Sequence, residues 1–213
     1  MNLQEAIRVG SVGRPVPGVS VRIAADGEIL LRGPNVFGGY WQNRDATDEV
    51  FADGWFCTGD LGSLDDDGYL HVTGRKKELI VTANGKNVSP VLLEDRLRAH
   101  ALVGQCMVVG DQQPFVGALV TVDEEAWPAW LAAHGRAAGT TVAALRDDPE
   151  LRASIQEAVD DANQAVSRAE SIREFRVLPV DFTVAGGELT PSLKVRRSEV
   201  LKRYADQVAA IYT

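Results

Sequence analysis

Apolar and polar residues alternate in the first third of the chain, a pattern typical of half-buried β-strands. The segment Val19–Ile23 alternates in this way and is followed by Asp26-Gly27. Because aspartate and glycine tolerate a positive φ, this pair predicts a tight hairpin turn into a second apolar strand. The pair Asp67-Gly68 predicts another such turn. Residues 1–73 are therefore expected to be β-rich, with residues 1–18 as a lead-in that packs on sequence outside this chain.

The pattern changes to mixed helix and strand from Leu79 onward. The apolar run Leu79–Val81 leads to a turn at Asn84-Gly85. Ser89-Pro90 then begins a helix that we expect to reach about His100, because serine caps helices well and proline is favoured at their first position.

The remaining apolar runs predict further strands and helices. Residues 103–109 and 116–122 flank a turn and predict two buried strands. We expect a helix over 123–134, a strand over 175–180 and a last helix ending near Ile211. A long helix is also expected after a proline at 149, because apolar residues recur there at steps of three and four, namely Leu151, Ile155, Val159, Ala162, Val166 and Ala169.

Composition allows one large domain or two small ones. The chain has 213 residues, of which 45% are hydrophobic and 24% charged. Its net charge of -8 and pI of about 4.9 exclude nucleic-acid binding by bulk electrostatics, so an anion site has to be a local cationic pocket.

The cellular location is predicted from cysteine usage and from two kinds of segment that are not found in the sequence. Cys57 and Cys106 fit no metal-binding spacing, which favours reduced thiols in a cytosolic protein. No apolar run reaches the length of a membrane span, and the N-terminus lacks the order of a signal peptide. The cytoplasm is the expected location, and peripheral contact with a membrane stays open.

Three charged residues are candidates for chemistry. Asp60 lies between two glycines and fits either a turn cap or a carboxylate that accepts both hydroxyls of a vicinal diol. Arg75 fits either a surface charge run or a planar donor to phosphate or ribose oxygen. Lys194 follows a proline-stiffened loop and precedes two arginines, which favours an anionic ligand, although a solvated lysine fits the same pattern.

Taken in order, several segments resemble motifs of the adenylate-forming enzymes, the superfamily of acyl-CoA synthetases, luciferases and peptide-synthetase adenylation domains. Gly13–Gly18 is similar to a strand-entry motif of that superfamily, and Glu28–Pro34 with Gly39–Trp41 to the next block. Gly54–Asp60 resembles the ribose-binding motif, and Gly74–Pro90 the junction between the large and small domains.

The form of the resemblance favours one branch of the superfamily. Thr190–Lys194 reads Thr-Pro-Ser-Leu-Lys, and a helical insertion is expected at about 135–170; both are most similar to long-chain fatty acyl-CoA synthetases. Many family members carry glycine just before the lysine, where this chain has Leu193. The superfamily's upstream phosphate loop has no match in this chain.

The resemblance implies a role for each matching residue. It implies that Asp60 holds the ribose hydroxyls, that Arg75 contacts the nucleotide, and that Lys77 is the hinge about which the small domain rotates. It implies that Lys194 contacts the carboxylate and the α-phosphate during adenylation. The residues implied to line the coenzyme A channel are Gly85, Asn87 and Ser89.

The resemblance also implies the fold and the function. We expect an α+β protein in which residues 1–75 are the β-rich, distorted-barrel end of a large domain, and 76–213 are a mobile small domain with a short sheet flanked by helices. The function implied is that of an AMP-forming long-chain fatty acid–CoA ligase that uses fatty acid, ATP, coenzyme A and Mg²⁺, with the magnesium ligands outside this chain. Taken alone, the chain is expected to be inactive, with an exposed large-domain interface through which copies can associate.

Two alternatives stay open at this stage. One is a non-catalytic module that binds a nucleotide, coenzyme A or a partner protein. The other is a fatty acyl-AMP ligase that serves a carrier protein. The sequence leaves the acyl chain length open as well, because the acyl pocket of the family lies upstream of these motifs.

Overall fold

The computed structural model describes residues 2 and 6–213, and the chain divides into two compact units, one up to Leu79 and one of Ile80–Thr213. The predicted lead-in lies partly outside the described residues. The described part has a partner within this chain, because the Val12 N–H donates a hydrogen bond to the backbone oxygen of Leu70 at 2.9 Å. No helix among the described residues is both long and apolar enough to cross a membrane.

The first unit is built on an antiparallel sheet of five strands. Its elements are β1 (Ser20–Ile23), β2 (Glu28–Arg32), α1 (Arg44–Val50), β3 (Phe51–Ala52), β4 (Trp55–Leu64) and β5 (Leu70–Arg75). The strand order is β1-β2-β4-β3, and β5 also pairs with β4. Both predicted hairpin turns are confirmed, with Gly27 at φ 86° and Gly68 at φ 79°.

The sheet is open, so the distorted barrel expected for residues 1–75 is wrong. The long strand β4 pairs with β2, β3 and β5, whereas β1 pairs with β2 alone among the described strands. Closing a barrel would require β1 to pair with the opposite edge of the sheet. The α+β class itself is confirmed.

The second unit is a mixed sheet covered by helices. Its elements are β6 (Ile80–Val81), β7 (Asn87–Val88), α2 (Pro90–Arg98), β8 (Val103–Val109), β9 (Val116–Val122), α3 (Trp127–Ala133), α4 (Val142–Leu145), α5 (Pro149–Asn163), β10 (Ile172–Val177), α6 (Arg197–Arg203) and α7 (Ala205–Ala209). β6 and β7 form a hairpin, and the other strands have the order β10-β9-β8, with β10 parallel to β9. The parallel pair needs a long crossover, which α3, α4 and α5 supply.

Both faces of this sheet are buried. Val108 and Val120 belong to a core cluster that includes buried residues of α2 and α5, whereas Met107 and Leu119 belong to a second cluster with residues of α6. Because both faces are covered, β8 and β9 are continuous apolar runs instead of alternating ones. Burial also raises the pKa of the Cys106 thiol to about 12, and both cysteines are free.

Three helices begin or end at other residues than the sequence predicts. α3 begins at Trp127, because the Asp123 carboxylate accepts the backbone N–H groups just before the helix, the shorter bond being 2.8 Å. α5 ends at Asn163, whose side chain donates to and accepts from the backbone of Ile172 at 3.0 and 2.8 Å and so directs the chain into β10. The last helix is divided at Tyr204 into α6 and α7.

Gly62 permits the pairing of β4 with β5. A Cβ at this position would collide with the backbone oxygen of His71 and would lie 2.8 Å from a methyl carbon of Ile29. We expect Gly62→Ala to lower the free energy of unfolding of the first unit by about 1–3 kcal/mol, the usual cost of overpacking, as measured by urea denaturation. The control is Gly38→Ala, where a Cβ meets nothing within 4 Å; equal losses from the two changes would contradict the prediction.

Candidate functional site

A bulge in β4 gives Asp60 its position. The pairing of β2 with β4 is irregular between Glu28 and Leu30, opposite the segment Thr58–Asp60. Gly59 lies within this segment at φ 72°, in the left-handed region that glycine adopts most easily. Bulges bend a strand and redirect its side chains, and they are common beside active sites.

Hydrogen bonds from side chains stabilise this bulge and replace the regular backbone hydrogen bonds of the ladder. Thr58 Oγ1 donates to the backbone oxygen of Ile29 at 2.7 Å and accepts the Asp60 N–H at 3.0 Å. The Glu28 carboxylate accepts the Gly59 N–H at 2.9 Å. These bonds satisfy polar groups that the bulge removes from the ladder, as a buried backbone requires.

Strand pairing brings Asp60 and Arg75 together. The two residues are direct partners in the ladder of β4 and β5, and Arg75 Nε lies 2.8 Å from Asp60 Oδ1. Their side chains are 32% and 62% exposed, and an exposed pair of this kind contributes only about 0–1 kcal/mol. A ligand with vicinal hydroxyls and a phosphate can therefore compete for both side chains at little cost.

A short 3-10 turn, Lys76–Glu78, follows β5 and contains two lysines with different surroundings. Lys76 Nζ lies 2.6 Å from Asp26 and 2.9 Å from Glu28. The pKa of Lys76 is raised above its ordinary value, mainly by the hydrogen bond to Asp26 and secondly by the hydrogen bond to Glu28. Lys77 is exposed and makes no ion pair with any residue that the structure describes.

The hairpin of β6 and β7 carries the three predicted channel residues. Gly85 turns the chain at φ 75°, and its N–H donates to the backbone oxygen of Thr82 at 2.8 Å. Asn87 is exposed, and Ser89 is half-buried just before α2. Ser89 lines an open groove of about 290 Å³ whose other walls include Val88, Leu92 and part of 164–170.

Lys194 is presented by a tight loop of the second unit. The Thr190 backbone oxygen accepts the Leu193 N–H at 2.8 Å, and the Thr190 N–H donates to the Lys194 backbone oxygen at 2.8 Å. Thr190 Oγ1 accepts the Lys194 N–H at 3.0 Å. Leu193 has φ 59°, so a left-handed residue completes the loop and leaves the Lys194 side chain exposed.

The two arginines after Lys194 have different partners. Arg197 lies 2.6 Å from Glu94, whose side chain is 9% exposed, and also donates to the backbone oxygen of Val108. Arg196 is 49% exposed and lies 3.9 Å from Glu199. The expectation that both arginines attract a ligand anion is therefore wrong for Arg197, because its charge compensates a buried carboxylate.

Sequence reasoning missed the residues that hold the candidates in place, notably Glu28, Glu94 and Arg197. The available signal was a charged residue within an apolar segment, since Glu28 precedes Ile29–Leu31 and Glu94 follows Leu92-Leu93. Among the residues described, no group of three or more His, Cys, Asp or Glu is arranged to hold a metal ion, so we assign no magnesium ligand.

The candidates are divided between the two units. Asp60 and Arg75 are in contact in the first unit, and Lys77 follows them closely in sequence. The candidates of the second unit, each described within that unit, are Gly85, Asn87, Ser89 and Lys194.

Comparison with known proteins identifies similar sequences. Residues 77–213 match the family model of the AMP-binding enzyme C-terminal domain. The chain is 58% identical over 206 residues to the long-chain-fatty-acid–CoA ligase FadD15 of Mycobacterium tuberculosis, with 97% of this chain and 34% of that protein covered. It is 40% identical over 207 residues to the putative fatty-acid–CoA ligase fadD11 of the same species, with 96% and 36% covered. The chain thus spans about a third of the length of these curated relatives.

Solved structures share the fold. The adenylation domain of a carboxylate reductase from Mycobacterium chelonae matches 93% of this chain, and 31% of its own, with a TM-score of 0.71 and 24% identity, which is evidence for the fold alone. The anthranilate CoA ligase AuaEII in complex with anthranoyl-AMP matches 98% of this chain, and 37% of its own, with a TM-score of 0.68 and 25% identity.

The pair of Arg197 and Glu94 anchors the start of α6, three residues after Lys194, on α2 and β8. We expect Arg197→Met to lower the free energy of unfolding of the second unit by about 3–5 kcal/mol, because it leaves a buried carboxylate unpaired. The neighbouring change Arg196→Met removes an exposed charge and should cost less than about 1 kcal/mol. Urea denaturation of the two variants measures the difference, and similar losses would show that the buried pair has no special role.

Proposed function

This chain belongs to the family of AMP-binding, adenylate-forming enzymes, and from that premise we propose that it is the C-terminal portion of an ATP-dependent long-chain fatty acid–CoA ligase. The observation that carries the proposal is the 58% identity to FadD15 over 97% of the chain. The contact between Asp60 and Arg75 supports it, because a nucleotide needs both a hydroxyl acceptor and a cationic donor.

In the first half-reaction, an oxygen of the fatty acid carboxylate attacks the α-phosphorus of ATP, and pyrophosphate leaves. We assign Asp60 to the ribose hydroxyls and Arg75 to the nucleotide. Lys194 contacts the carboxylate and the α-phosphate, and it neutralises the negative charge that grows on the α-phosphate oxygens in the transition state, in a site closed to water. The exposed position of Lys194 on a tight loop supports this role, because its ammonium is available to a ligand.

In the second half-reaction, the sulfur of coenzyme A attacks the acyl carbon, the thioester bond forms, and AMP leaves. We propose that the small domain pivots at Lys77 between the two steps, which withdraws Lys194 and brings the β6–β7 hairpin to the thiol channel. Gly85, Asn87 and Ser89 line that channel. The groove beside Ser89 supports this assignment, because it keeps one side of the hairpin open.

The 213 residues by themselves are expected to show no turnover, because the family's phosphate loop and acyl pocket have no match in them. The first unit also exposes large apolar side chains, with Val9 95% and Trp41 89% exposed. We propose that these side chains pack on the rest of the large domain in the longer enzyme and, in its absence, allow copies to associate. Magnesium enters with ATP and is held outside the described residues.

The thiol acceptor separates this proposal from a fatty acyl-AMP ligase. FadD15 is named as a CoA ligase, which favours coenzyme A as the acceptor here. The test is product analysis of the longer enzyme with coenzyme A and with an acyl carrier protein in parallel. Thioester formation on coenzyme A supports the proposal, whereas a thioester on the carrier protein alone contradicts it. Nucleotide binding without any product would favour the non-catalytic module.

The assignment of Lys194 predicts a difference between the half-reactions. In the longer enzyme, Lys194→Ala should lower the rate of acyl-adenylate formation by about 100-fold or more, the loss typical of removing one charge-stabilising donor. Thioester formation from supplied acyl-adenylate should change far less. Pyrophosphate release measures the first step, and Lys202→Ala is the control, because this exposed lysine lies in the same unit. Equal losses in both steps would refute the assignment.

The assignment of Lys77 predicts the opposite pattern. Lys77→Pro fixes φ at the hinge, so it should spare acyl-adenylate formation and slow thioester formation by about tenfold or more, which is about 1.4 kcal/mol in the barrier. Lys77→Ala keeps the backbone free to rotate and should preserve both steps. A hinge at this residue is ruled out if the proline variant completes the second step at the normal rate.

A further inference from the structure

A buried carboxylate in the first unit takes part in no step of the proposed reaction. The Glu28 side chain is 10% exposed, and its Oε2 lies 2.9 Å from Lys76 Nζ. Lys76 also lies 2.6 Å from Asp26, and its side chain is 46% exposed. A charge as buried as that of Glu28 is costly unless it is paired, so the ammonium of Lys76 is needed to keep the carboxylate in this place.

The other oxygen of Glu28 points to the bulge. Glu28 Oε1 accepts the N–H of Gly59 at 2.9 Å. Gly59 directly precedes Asp60, and its positive φ of 72° bends the strand at that point. Two consecutive hydrogen bonds therefore connect the ammonium of Lys76 to the backbone next to Asp60, and both lie within the first unit.

We propose that Lys76 is a positioning residue for the ribose-binding carboxylate: its ammonium holds Glu28, Glu28 holds the Gly59 amide, and the bulge directs Asp60. This inference rests on the proposed role of Asp60. Lys76 itself touches neither substrate nor reacting atoms. Because Lys76 also begins the turn that contains Lys77, the same ion pairs fix the end of the β-rich unit from which the hinge starts.

Lys76 and Asp26 keep their charges at neutral pH. Hydrogen bonds to Asp26 and Glu28 raise the pKa of Lys76, and the hydrogen bond from Lys76 lowers the pKa of Asp26. A base with a raised pKa stays protonated, and an acid with a lowered pKa stays ionised, so neither group titrates near neutrality. The ion pair of Lys76 with Asp26 should therefore be constant between about pH 6 and pH 8, well away from the ordinary pKa values of both groups.

Ribose discrimination by the longer enzyme tests the proposal. The quantity measured is the ratio of kcat/KM for ATP to kcat/KM for 2′-deoxy-ATP, since Asp60 acts on the ribose hydroxyls. Lys76→Met should lower this ratio by about tenfold or more, the effect of losing one hydrogen bond to a charged group. Lys76→Arg, which keeps the cation, should retain most of the discrimination.

A double variant separates positioning from general stability. Glu28→Gln combined with Lys76→Met leaves a neutral amide oxygen that can accept the Gly59 N–H and needs no cation. This double variant should recover discrimination that Lys76→Met alone loses. Equal loss of activity with both nucleotides, or no recovery in the double variant, would overturn the positioning role.

Amide exchange supplies a readout that does not depend on activity. In the 213-residue chain, Lys76→Met should speed exchange of the Gly59 N–H by about tenfold or more, again the effect of one weakened hydrogen bond to a charged group. Unchanged exchange would overturn the inference. Failure of the wild-type enzyme to form acyl-adenylate would instead refute the proposed function, so the two failures are distinguishable.

Discussion

The pairing of β4 with its neighbours fixes where Asp60 lies. β4 contacts β2, β3 and β5, and its pairing is irregular at Thr58–Asp60 against β2 and at Leu61-Gly62 against β5. Each irregularity removes ladder hydrogen bonds and needs compensation. Side chains compensate at the first, where Glu28 accepts a freed N–H, and the absence of a side chain permits close approach at the second. Together these adjustments put Asp60 opposite Arg75, which a regular ladder would not ensure.

In the second unit, side-chain contacts likewise fix the backbone around a candidate residue, Lys194. A lysine side chain is long and flexible, so its charge can be preorganised only if its backbone is held. Thr190 fixes the loop through both its backbone and its hydroxyl, and Arg197 anchors the start of α6 on the buried Glu94. The two cations thus have different roles, because Arg197 stabilises the fold and Lys194 stays available to a ligand.

Local patterns predicted much of the fold, and long-range pairing explains most of what they missed. β8 and β9 were predicted at their observed bounds, because each is an uninterrupted apolar run beside a turn. The contact between Asp60 and Arg75 was not predictable, because it depends on the register of strands with two irregular points. The barrel was wrong for a related reason: alternation identifies strands but does not show whether sheet edges meet. α1 was missed because it buries no residue and so has no apolar face.

Leu193 departs from the family pattern and still adopts a conformation that glycine adopts more easily. Many adenylate-forming enzymes carry glycine before the lysine, and the φ of 59° here explains that preference, since a non-glycine residue in the left-handed region costs about 1–2 kcal/mol. The leucine side chain is 65% exposed, so its burial within the described residues does not offset that cost. Such a conformation persists only where the surrounding structure enforces it. The hydrogen bonds of Thr190 provide that enforcement, so the direction of Lys194 is set by the loop and not by the residue that precedes it.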